Sequence, residues 1–204
     1  MTEQNRSAPA PPAEPNEPDE LDEEAEPTPE QRAAEEALAR LEDRIGAFTS
    51  YTLAADFLEL REIYAGGFER MKEEEWARRT DRRPGGWTMR QALAHVEAVA
   101  QLYNTVITAA QEGAPVQVPG LERREDLAAV NRAALEARAE RSVAELTESF
   151  LGALEEAARL SACAEPEQLG RLVKVPFFGS TPTVAELFGA SLTHAGILHG
   201  AQLA

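Results

Sequence analysis

A single cysteine, Cys163, occurs among the 204 residues. No disulfide can form within the chain, and this usage fits a reducing compartment. Long apolar runs are missing as well. None approaches the ~18 to 20 residues of a membrane span, and the N-terminus lacks the basic start and apolar segment of a secretory signal. A soluble, cytoplasmic protein with no membrane partner is expected. Positive charge is scarce, with 20 Lys and Arg against 36 Asp and Glu and a formal charge of −16. Such a chain repels phosphate backbones, which argues against nucleic acid as a partner. The short basic cluster Arg78, Arg79, Arg82 and Arg83 adjoins Glu73, Glu74 and Glu75, so it reads as a solvated face. Cys163 has no basic or histidine neighbour in sequence and reads as a small, half-buried apolar residue rather than a reactive thiol.

What is present is 43% apolar residue content, enough for one domain with a proper core and an appendage. Residues 1–28 are rich in proline and acid, with Leu21 the only large aliphatic side chain besides Met1 as far as Glu26. They cannot bury enough apolar surface to offset the entropy of ordering, so a disordered acidic tail is expected. Residues 29–49 read as an additional N-terminal helix: Thr28, Pro29 and Gln31 form a capping-box signature, and Leu38, Leu41, Ile45 and Phe48 make one stripe. The step from Phe48 to Leu53 is five residues, which rotates the apolar face and reads as two helices or as one helix bent near Thr49 and Ser50.

Residues 50–204 hold the main domain. Leu53, Phe57, Leu60, Tyr64, Phe68 and Met71 form a second stripe, and Gly66 and Gly67 loosen its end or let a neighbour approach. After the loop Arg82–Gly86, Thr88 and Gln91 cap a helix that runs to about Gln111, where Gly113 and Pro115 stop it. Its inward stripe is Leu93, Val96, Val99 or Ala100, Tyr103, Val106 and Ile107, with His95 and Leu102 on the flank. Trp87, just before the cap, reads as a buried staple toward Ala92. A helix over about Arg124–Ala139 turns Leu127, Val130, Ala134 and Leu135 inward, with Asn131 near that face in a surface or capping role. Ser142 and Glu145 cap the next helix, which carries Leu146, Phe150, Leu154 and Leu160 and ends near Cys163. Arg171–Val175 alternates and is β-branched, so it reads as a strand that Pro176 ends or confines to an edge. Thr183 and Glu186 cap a last helix running to Ala204. The pattern is an all-α bundle with a short extended segment before its final helix.

The three histidines lie on two of these helices, His95 on one and His194 and His199 on the other. The last two are five residues apart, about 140° apart around an α-helix. Glu97 and Glu186 are the nearest carboxylates in sequence, and surface carboxylates on helices are the simpler reading of both.

The segments EEEWARRT, PGGWTMRQALAHV, DLAAVNRAALEARAERSVAEL and TPTVAELFGASLTHAGILHGAQL, in that order, resemble the DinB-like superfamily, which includes the mycothiol-dependent maleylpyruvate isomerase N-terminal domains. The resemblance covers about residues 50–204 and implies a DinB-like four-helix bundle. It also implies a divalent metal, zinc, nickel or iron, held by one histidine of the second bundle helix and two residues one turn apart on the last. His95 matches the first ligand and His199 the last. The middle position falls on Ala195, which cannot coordinate, and His194 is one residue out of register. A one-residue π-bulge, helped by Gly196, would rotate His194 toward His199 and complete the set His95, His194, His199. Alternatively, His95 and His199 hold a metal with water completing the shell, or the site is degenerate and the imidazoles only hydrogen-bond in the core. The function implied is a transferase, isomerase or hydrolase that uses a low-molecular-weight thiol on an electrophilic small molecule, in detoxification or stress response. The alternative is a non-catalytic bundle that binds a small molecule or a protein, and an exposed apolar stripe on such a bundle would serve a homodimer.

Overall fold

A computed structural model describes residues 50–80, 86–175, 178, 180–198 and 203. The expected tail (1–28) and additional helix (29–49) lie outside the described residues, as does His199. Among the described residues there are six α-helices: α1 (Ser50–Arg70), α2 (Met89–Gln111), α3 (Leu127–Glu136), α4 (Val143–Ala162), α5 (Pro166–Leu169) and α6 (Val184–Leu192). A π-helical turn, Thr193–Leu198, continues α6.

The helix starts are where local chemistry places them. Thr88, Ser142 and Thr183 each accept a hydrogen bond from the backbone N–H three residues on, and Gln91, Glu145 and Glu186 reach back to the cap N–H. Each box satisfies two donors that a helix otherwise leaves open. The end of α2 closes as a Schellman motif, with Gly113 at φ 73°. Ala114 N–H donates to the Ala109 carbonyl at 2.8 Å and Gly113 N–H to that of Ala110 at 3.1 Å. From a later segment Arg171 adds two hydrogen bonds of 2.7 Å to the carbonyls of Ala110 and Gln111, placing a cation at the negative end of the helix dipole.

Side-chain pairs reveal the helix directions. Between α2 and α4, Gln101 bonds Ser149, Asn104 the Ala153 carbonyl and Gln111 the Leu160 carbonyl. The partners advance together, so these helices run parallel. Between α1 and α4, Arg61 pairs with Glu155 whereas Tyr64 packs on Phe150, so those two are antiparallel. Phe57 meets Phe188, and Tyr64 donates to the Ala195 carbonyl, so α1 and the last helix run parallel. The result is an up, down, down, up bundle of α1, α2, α4 and α6, with α3 on the long crossover that parallel neighbours require.

The core contains Leu53, Phe57, Tyr64 and Phe68 from α1, Leu93, Val96 and Ile107 from α2, Leu146, Phe150 and Leu154 from α4, and Leu187, Phe188 and Leu192 from α6. The expected inward face of α3, Leu127, Val130, Ala134 and Leu135, is the less exposed side of that helix and is half-buried. Two expectations need correction. Arg171–Val175 forms no strand: it makes one isolated bridge, Leu172 with Thr183. Thr183 caps α6, so the pairing does not continue beyond it into the helix. Cys163 is exposed, at the C-cap of α4.

Candidate functional site

His95 sits in the second turn of α2, behind the Thr88 cap, and is 6% exposed. It lies on the side of α2 that faces α6, against residues that follow that helix. His194 is the second residue of the π-helical turn and is half-buried. Their ring centres are 5.1 Å apart with planes inclined at 60°. The expectation that two helices distant in sequence bring imidazoles together is met for this pair. Trp87 completes a row, its ring 4.7 Å from that of His95. It is half-buried, so the sequence reading of a buried staple changes to a partly exposed wall beside a histidine.

The π-helical turn explains how His194 faces the bundle. An α-helix closes N–H(i)→O=C(i−4) bonds, and a π-turn closes them one residue further back. The wider turn rotates the residues that follow it and brings side chains five apart closer to one face. The turn is described as far as Leu198.

Two imidazoles bonded at about 2.0–2.1 Å to one tetrahedral ion have ring centres about 5 Å apart. The observed 5.1 Å fits that arrangement, and it also falls within the range of ordinary edge-to-face ring contacts. Among the described residues no group of three or more His, Cys, Asp or Glu could hold a metal.

The two carboxylates nearest these histidines in sequence do other work. Glu97 is two residues from His95, about 200° around the helix, and its side chain is fully buried on the opposite side. It accepts hydrogen bonds from Arg138 Nε, Arg141 Nη1 (2.8 Å), Ser149 Oγ (2.6 Å) and Gln101 Nε2 (2.8 Å). Burial pushes its carboxyl pKa up, but the hydrogen bonds from Ser149, Arg138 and Arg141 outweigh burial and hold it below the ordinary range. The surface reading of Glu97 is therefore corrected: it is a buried structural anion that ties α2 and α4 to the turn after α3, with four donors on its oxygens. Glu186 is exposed and bonds the Thr183 N–H at 2.6 Å as part of the cap.

Sequence reasoning missed one participant. Tyr64 is fully buried in the α1 stripe, and its hydroxyl donates to the carbonyl of Ala195, next to His194. The available signal was a phenol in a stripe otherwise built of Leu and Phe, since a buried hydroxyl requires a partner. A surface depression of about 320 Å³ lies elsewhere, between the end of α2 and Arg171–Lys174. No helix among the described residues is long and apolar enough to cross a membrane.

Comparison with known proteins gives one match. The family model described as mycothiol maleylpyruvate isomerase N-terminal domain matches residues 57–204. No curated protein and no solved structure matches the chain.

Proposed function

Because the chain belongs to the mycothiol maleylpyruvate isomerase N-terminal domain family, within the DinB-like superfamily, we propose that it binds a divalent metal and uses a low-molecular-weight thiol to act on an electrophilic small molecule. The reaction class would be transfer, isomerisation or hydrolysis, in detoxification or stress response. The observation that carries this reading is the pairing of His95 with His194, one ring nearly buried and the other half-buried, their centres 5.1 Å apart at a π-helical turn.

In this reading His95 and His194 are two ligands, and His199 is the third. When bound, zinc, nickel or iron would supply Lewis acidity that lowers the pKa of a coordinated thiol toward neutrality. The chain's own residues provide the surroundings. Trp87 makes an apolar wall against His95, which excludes water from one side of the pair and holds the ring in place. Neither Glu97 nor Glu186 is free to act as general base, so the reading assigns deprotonation to coordination rather than to a protein carboxylate.

The test is metal content. The purified chain, reconstituted with zinc, nickel or iron, is expected to retain about one ion per chain, and His95→Ala and His194→Ala are each expected to lose it. Wild-type protein that retains no ion would refute the reading and leave a non-catalytic bundle that binds a small molecule or a protein.

A further inference from the structure

We propose that Tyr64 is a positioning residue: its hydroxyl holds the π-helical turn in register and so sets the His194 imidazole against His95. The inference deepens the function proposed above and rests on it only where metal is used as a probe.

π-Helical turns are rare because they widen the backbone at the expense of close packing, and they persist where something else supports them. Here the support comes from α1, 131 positions away in sequence: the Tyr64 hydroxyl donates to the Ala195 carbonyl in the middle of the turn. In an α-helix that carbonyl would accept the N–H four residues on, whereas in the π register its donor shifts by one residue. A side-chain donor inserted at this point stabilises the irregular turn, as inserted groups do at helix kinks.

Apolar packing does not require the hydroxyl. The Tyr64 ring contacts Phe68 and Phe150, with centres 5.4 and 5.0 Å away, and a phenylalanine would make the same contacts. Burial raises the phenol pKa far above its ordinary value, so it remains a neutral donor. Ala195 directly follows His194 and its carbonyl lies in the Ala195–Gly196 peptide, so the hydrogen bond anchors the backbone one residue beyond His194. Gly196, with no side chain to crowd the wider turn, comes next.

The experiment compares wild type with Tyr64→Phe, which removes one oxygen. In the metal-free full-length chain the three histidines give three imidazole Hε1 resonances. The variant is expected to shift that of His194 and to lose the His95–His194 ring NOE, with helical circular dichroism unchanged. Cobalt(II) titration is expected to show affinity weakened about 10- to 100-fold, the usual effect of removing support behind a ligand. A second variant adds deletion of Gly196, which places His194 and His199 four apart in an ordinary helix and removes the need for the donor. It is expected to recover cobalt affinity, and to fold even if Tyr64→Phe alone does not. Unchanged resonances, NOE and cobalt affinity in Tyr64→Phe would overturn the proposal, as would a double variant no better than the single. If wild type binds no cobalt, the functional reading fails, and the NMR comparison still decides the role of Tyr64.

Discussion

Replacing Glu97 with glutamine tests whether the buried anion holds α2 and α4 to the turn after α3. The substitution keeps the shape and one acceptor oxygen but removes the charge facing Arg138 and Arg141. Taking one partner from a buried ion pair costs about 3–5 kcal/mol. The Arg138 and Arg141 side chains remain 16% and 33% exposed, so water screens part of the loss, and we expect about 2–4 kcal/mol. At about 2–4 °C per kcal/mol for a chain of this size, the melting temperature should fall by roughly 5–15 °C. The pH dependence adds a second constraint. The Glu97 carboxyl has a folded pKa below its ordinary value, because the bonds from Ser149, Arg138 and Arg141 outweigh the upward push of burial. Its stabilisation is therefore complete above the unfolded value near about 4.3 and is lost as pH falls through the folded value. Glutamine does not titrate, so the stability gap between wild type and Glu97→Gln should be widest near neutral pH and shrink below about pH 4. Urea melts followed by circular dichroism at a series of pH values measure that gap directly. Equal stability near neutrality, or a gap that stays constant down to about pH 3, would refute the reasoning.

Two further outcomes follow from packing and ring contacts. Phe150, fully buried against Tyr64 and Phe68, should cost about 3–5 kcal/mol when cut to alanine, whereas Leu58→Ala, at a side chain 47% exposed, should stay within about 0.5 kcal/mol in the same denaturant melts. The chain has two tryptophans, and Trp87 lies against His95 while Trp76 packs on Phe68. Cobalt(II) should therefore quench tryptophan fluorescence in wild type and leave that of Trp87→Phe unchanged, and equal quenching in both would place the ion away from His95.

Much of the bundle was legible before any coordinates. The caps at Thr88, Ser142 and Thr183 and the stop at Gly113 depend on neighbours within five residues, so a local sequence pattern signals them. The core stripes of α1, α2 and α4 follow the same logic, because helical periodicity marks the face to be buried. Failures occurred where a residue's environment is set by a distant partner. Glu97 looked like a surface carboxylate because the arginines that neutralise it lie more than forty residues on, in the turn after α3. Arg171–Val175 has strand composition, but among the described residues it makes a single bridge, to Thr183, where α6 begins.

The candidate site divides along the same line. Spacing showed that His194 and His199 stand five residues apart, since periodicity is a property of the chain itself, and the DinB-like resemblance placed His194 one residue out of register, with a π-turn as one of three readings. That such a turn forms, that a buried phenol from another helix supports it, and that His95 meets His194 while Glu97 faces away are consequences of packing. They depend on which helices lie side by side and in which direction, and local backbone preferences do not encode that choice.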